Sequence, residues 1–190
     1  VACNTGSAQA LRTIQQQMLP ATFPDSRVLG VIRPVAEYVR AQQWQRVGIL
    51  GTNATVLSNA YVREIQHVRP EIEVSQYACP RWVPLIESGR AHDSETRSVV
   101  CEDVNTLCAQ APNLDAVIMA CTHYPIVAEA IQSCLPATAT LLDAGPIVAR
   151  SLVSYLERHN DIAASLLKKS SILYRYTGDA DAATKAASQI

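Results

Sequence analysis

Short apolar runs of strand length alternate with longer stretches of helical spacing along this 190-residue chain. Strands are predicted at 27–32, 46–51, 72–77, 114–121, 138–143 and 172–177. Helices are predicted at 7–18, 35–43, 93–110, 126–135, 146–160 and 180–188, with one more running from the polar turn 52–55 to near Pro70. Pro20 and Pro24 should end the first helix, and Pro34 should stop the strand before it. Asp93 stands where it can cap the helix at 93–110, with Glu95 in the first turn. A strand followed by a helix and then another strand builds a mostly parallel sheet covered by helices. The fold class read from this pattern is α/β.

In such sheets ligands bind beyond the carboxyl ends of the strands. Polar clusters stand there repeatedly: Cys3-Asn4-Thr5, Thr52-Asn53-Ala54-Thr55 and Cys121-Thr122-His123. Neither G-x-G-x-x-G nor G-x-x-x-x-G-K-[ST] occurs, so neither a dinucleotide nor a nucleoside triphosphate is signalled.

Composition narrows the function classes. Apolar residues make up 48% of the chain, enough for a real core. A formal net charge of −1, without a run of like charges, argues against a nucleic-acid surface and against a polybasic membrane contact. No apolar stretch has the length of a spanning helix, and no signal-peptide pattern is visible. The six cysteines are Cys3, Cys79, Cys101, Cys108, Cys121 and Cys134, and none forms a C-x-x-C pair. They read as free thiols in a reducing cytoplasm. Cys101 and Cys108, spaced along one helix, should face a core.

A cysteine at the end of an apolar strand is usually a small buried hydrophobe, and that describes Cys79, Cys101, Cys108 and Cys134. Cys3 and Cys121 differ in their neighbours. Each stands at a strand-to-helix turn, where the first amides of the helix can favour a thiolate. A thiolate there can serve as nucleophile, metal ligand or general base. The spacings of His67, His92 and His159 do not fit a zinc site. Asn-Thr beside one thiol and Thr-His beside the other supply the small hydrogen-bonding groups that a carboxylate or ammonium ligand needs.

At this point the motifs carry a resemblance. "VACNTGSA" (1–8), "GTNATVLSNAY" (51–61), "VPLIESG" (83–89) and "ACTHYPIV" (120–127), with a weaker "LLDAGPIVAR" (141–150), resemble the glutamate racemases of the aspartate/glutamate racemase superfamily. The segments follow the family's order across most of the chain. Gly6, Ala120 and Ala144 stand where that family often has Ala, Gly and Ser.

The resemblance implies interconversion of L- and D-glutamate without pyridoxal phosphate or metal, by one thiol on each face of the substrate, to supply D-glutamate for peptidoglycan. Cys3 and Cys121 become the acid/base pair. Asn4, Thr5, Thr122 and His123 match substrate-binding positions, and His123 also assists Cys121. Glu87 matches an acid placed near the site, and Thr52 and Thr55 hold the substrate's carboxylate end or shape the pocket. The implied partner is glutamate, with neither nucleic acid nor membrane, in the cytoplasm, and a homodimer is left open. The implied architecture is two pseudo-symmetric parallel-sheet α/β domains facing a central cleft, the first from 1–33 and 137–190 and the second from 34–136. The family's Asp-Ser-Gly and Tyr-Gly segments precede "VACNT", so the chain is expected to lack an N-terminal piece. The alternatives are another racemase of the superfamily, or a truncated non-catalytic binding or regulatory paralogue. The His of "CTHYP" favours glutamate over aspartate.

Overall fold

The computed structural model describes residues 1–166 together with Arg175, Gly178 and Thr184. The chain opens with helices α1 (Asn4–Gln9), α2 (Leu11–Thr13) and α3 (Leu19–Thr22), then α4 (Ile32–Arg40) and strand β1 (Arg46–Gly51). Helices α5 (Asn53–Leu57) and α6 (Ala60–Val68) lead to β2 (Glu73–Ala78). Next come α7 (Trp82–Glu87), α8 (Ser94–Gln110) and β3 (Ala116–Ala120). After a 3-10 turn at Tyr124–Val127 follow α9 (Ala128–Cys134), β4 (Thr140–Asp143), α10 (Ala144–Arg158) and α11 (Asn160–Ser165).

Among the described residues the strands form one four-stranded sheet in the order β2-β1-β3-β4, and every neighbouring pair is parallel. The α/β class read from the alternation is therefore the observed one. From β1 the chain moves outward to β2, then crosses back to lay β3 on the other side of β1. That reversal opens a crevice at the carboxyl ends of β1 and β3, where Gly51 pairs with Ala120. β4, assigned from sequence to a first domain with 137–190, hydrogen-bonds to β3, so the sheet runs across residue 136.

Successive strand residues face opposite sides, and the two cores show it. Val47, Ile49, Ile118, Ala120 and Leu142 pack with residues of α4, α6 and α10. Leu50, Val117, Met119 and Cys121 pack with residues of α7, α8 and α9. Cys121 continues the β3 alternation into this second core.

Several local expectations need correction. No strand forms at 27–32: Gln15 Nε2 donates to the Val28 carbonyl, and the Val31 amide donates to Ser7 Oγ, so side chains take the partners a sheet would use. Pro34 lies in the first turn of α4, where a missing N–H costs no helical bond. The first helix does not end at Pro20. It widens into a π turn at Ile14–Met18 and resumes as α3 with Pro20 in its first turn; the wider turn makes room for a ring that would press on the preceding turn. The helix after Thr52 is two helices, parted at Asn59, whose φ of 53° is left-handed. Asp93 precedes α8 but its side chain makes no capping bond.

The thiols are not all free. Cys101 of α8 and Cys134 of α9 are joined as a disulfide with Cα atoms 5.4 Å apart, because these two helices lie side by side. Cys3, Cys79, Cys108 and Cys121 are free. The strand predicted at 172–177 and the helix at 180–188 lie outside the described residues. Among the described residues no helix is long and apolar enough to cross a membrane.

Candidate active site

The polar clusters meet at the crevice between β1 and β3. Cys3 is the N-cap of α1, and its Sγ accepts from the Gly6 amide at 3.4 Å. Asn4, one residue on, is buried and accepts through Oδ1 from the hydroxyl of Tyr61 at 2.6 Å. Thr5 reaches the end of β1, where Thr52 Oγ1 lies 2.9 Å and Thr55 Oγ1 3.3 Å away. Thr52 and Thr55 are 3.0 Å apart, and the Thr52 hydroxyl also caps α5 by accepting from the Thr55 amide. A hydroxyl both donates and accepts, so this cluster is satisfied internally and can turn its protons to an incoming anion.

Cys121 follows β3 on the opposite strand of the crevice. It is buried but free. Its Sγ lies 3.9 Å from His123 Nδ1, and His123 Nε2 lies 3.0 Å from Glu87 Oε1 at the end of α7. Burial raises the Cys121 thiol above the usual thiol range. The backbone amides of His123 and Tyr124 pull it back down, while negative charge on Cys3 and Glu87 pushes it up. Behind Cys121 the ring of Tyr124 packs on Trp82 at 4.6 Å, and buried Asp103 accepts from Trp82 Nε1 at 2.7 Å.

Of the residues singled out from sequence, the structure links Thr5, Thr52 and Thr55 through their hydroxyls, and Cys121, His123 and Glu87 through a chain of contacts. Thr122 lies beside them in sequence but is exposed, without a side-chain hydrogen bond among the described residues. Tyr61 was missed. It closes the motif at 51–61, yet nothing in a sequence separates a phenol that binds Asn4 from an aromatic core residue. A groove of about 680 Å³ opens elsewhere, lined among others by Leu11, Arg33, Glu64 and Tyr155 and by neither thiol of the crevice. The crevice is the candidate on its chemistry: two free thiols, an imidazole backed by a carboxylate, and neutral donors.

A parallel sheet with polar strand ends at its switch point defines an α/β protein of the kind that takes ligands at that end of the sheet. The chain matches the Asp/Glu/Hydantoin racemase family over residues 1–152, and it belongs to that family. It is 38% identical to the glutamate racemase of Rippkaea orientalis over 165 residues, covering 85% of this chain and 56% of that protein. With the glutamate racemase of Streptococcus gordonii the identity is 36%, covering 83% of this chain and 58% of the other. Among solved structures, the glutamate racemase of Thermus thermophilus in complex with β-chloro-D-alanine superposes with a TM-score of 0.73 at 32% identity, over 98% of this chain and 65% of that one. The Francisella tularensis enzyme in complex with D-glutamate gives 0.71 at 32% identity, over 83% of this chain and 56% of the other. The chain thus spans little more than half the length of the curated relatives it matches.

Proposed function

We propose that the protein is a glutamate racemase in which one of Cys3 and Cys121 takes the α-proton from one face of Cα while the other gives its own proton to the opposite face. The observation that carries this reading is the chain from the free Cys121 thiol through His123 to Glu87 at the end of β3, with a second free thiol, Cys3, at the N-cap of α1 beside the hydroxyls at the end of β1, in a chain similar to glutamate racemases. A racemase removes a proton from one face of Cα and returns one to the other, which calls for an acid/base group on each side. Burial keeps Cys121 protonated at neutral pH, so it enters the cycle as the acid while Cys3 acts as base. In the reverse direction His123 Nδ1, facing the sulfur, takes up the proton that Cys121 must lose, with Glu87 holding the imidazole. Asn4 and the Thr5, Thr52 and Thr55 hydroxyls bind the substrate's carboxylate groups, and Thr122 adds a hydroxyl at the mouth. The reaction needs neither metal nor pyridoxal phosphate, and it supplies D-glutamate for peptidoglycan in the cytoplasm. In this reading the crevice is one wall of a cleft between two α/β domains.

The test uses the protein expressed from its complete reading frame, assayed in D₂O with chelator present and without pyridoxal phosphate. L-Glutamate and D-glutamate should each lose optical activity and gain deuterium at Cα. Absence of α-deuteration would overturn the reading, and faster turnover of aspartate than glutamate would reassign the substrate.

A further inference from the structure

Tyr61 is wholly buried on α6, and the bond from its hydroxyl to Asn4 Oδ1 ties α6 to the first turn of α1 across 57 residues. A carboxamide offers one acceptor and one two-proton donor. With Oδ1 engaged, Asn4 has Nδ2 left. Among the described residues the buried side-chain nitrogen or oxygen without a partner is Gln76 Oε1 alone. Asn4 Nδ2, which has no protein partner among those residues, therefore reaches solvent, next to Cys3. The phenol also keeps its role. Burial raises its pKa, and negative charge on Cys121 raises it further, so the hydroxyl keeps its proton and donates at neutral pH.

We propose that Tyr61 is a positioning residue: its hydroxyl holds the Asn4 carboxamide in the orientation that turns Nδ2 into the crevice, where it donates to a carboxylate of an acidic amino-acid substrate. The proposal rests on the racemase reading above. Without the hydroxyl, the carboxamide can rotate and present Oδ1 to the anion instead. A purely structural Tyr61 would act through its ring, which phenylalanine retains.

The experiment compares wild type, Tyr61→Phe, Asn4→Ala and the double variant of the full-length protein. Tyr61→Phe should raise KM for both enantiomers roughly tenfold, the scale of one well-placed hydrogen bond left unmade, with kcat little changed. In the Asn4→Ala background it should add less than about twofold. An unchanged KM in Tyr61→Phe, or the same tenfold loss in the Asn4→Ala background, overturns the proposal. If Tyr61→Phe does not fold, Asn4→Asp decides: it keeps the bond to Tyr61 but replaces Nδ2 with an anionic oxygen, so an unchanged KM overturns the proposal and a raised one supports it. Wild-type turnover reports separately on the racemase reading. Should wild type not turn over, calorimetry of D-glutamate binding to the same variants gives the answer, tenfold weaker binding by Tyr61→Phe supporting the proposal and no binding by wild type overturning it.

Discussion

His123 and Glu87 stand 36 residues apart in sequence and meet with Nε2 and Oε1 at 3.0 Å. A carboxylate accepts only, so neutral His123 carries its proton on Nε2 and turns a lone pair at Nδ1 toward Cys121. Glu87 is half-exposed and adds little to stability, as exposed pairs do. Its expected effect is on the tautomer. Glu87→Ala should lower kcat by about tenfold, less than the ~10²–10⁴-fold of an acid/base group itself, while thermal stability stays nearly constant. ¹⁵N shifts of His123 check the cause: wild type should show the Nε2–H form, and the variant a mixture. An unchanged tautomer with unchanged kcat would leave the pair a surface contact.

The two thiols should divide labour by face. Cys3→Ser and Cys121→Ser keep the size but give far weaker bases, so racemisation should fall by about 10²–10⁴-fold or more in each. Elimination from a β-leaving-group analogue needs mainly one base. Each variant should therefore retain elimination for one enantiomer, and the two variants for opposite ones. Both variants losing the same enantiomer, or either racemising normally, would contradict the two-base assignment.

Alkaline stability carries its own sign. Burial first of all raises the thiols of Cys79 and Cys121. The unfolded chain then loses these protons at lower pH than the folded one, so above the ordinary thiol pKa of about 8.5 the native state binds more protons and stability falls with pH. Below about pH 8 the contribution is complete. The slope is at most about 1.4 kcal/mol per pH unit for Cys79. Urea midpoints should be level from pH 7 to 8 and decline by pH 10, and Cys79→Ala should flatten that decline. An equally steep decline in Cys79→Ala would show that other groups cause it.

Gly48 lies against side chains of the second core. A Cβ there would meet Leu114 Cδ1 at 2.9 Å, Leu107 Cδ2 at 3.0 Å and Val117 Cγ2 at 3.2 Å. Gly48→Ala on the central strand β1 should cost about 1–3 kcal/mol by overpacking. Chemical denaturation measures it. Activity per folded molecule should persist, because the strain falls away from the thiols, and a loss below about 0.5 kcal/mol would show that the leucines yield.

The α/β class and strands β1 to β4 were legible in the sequence because each depends on a short apolar run and the helical pattern after it. The same logic placed Thr52 and Cys121 at strand ends, since a chain leaving a parallel sheet must turn there and turns are polar. The family was legible because its motifs are local strings. Where a local rule had two outcomes, the sequence could not choose. Pro34 can end a strand or open a helix, and the side chains of Ser7 and Gln15 decided for the helix by taking the backbone bonds of 28–31. Cys101 and Cys134 read as separate buried thiols until the packing of α8 on α9 joined them. The site itself is the clearest case. Asn4 with Tyr61, Thr5 with Thr52, and Glu87 with His123 are separated by 57, 47 and 36 residues. Periodicity reports which way a side chain faces within its own element. Which elements then meet follows from the strand order β2-β1-β3-β4, and that order is set by the packing of the whole sheet.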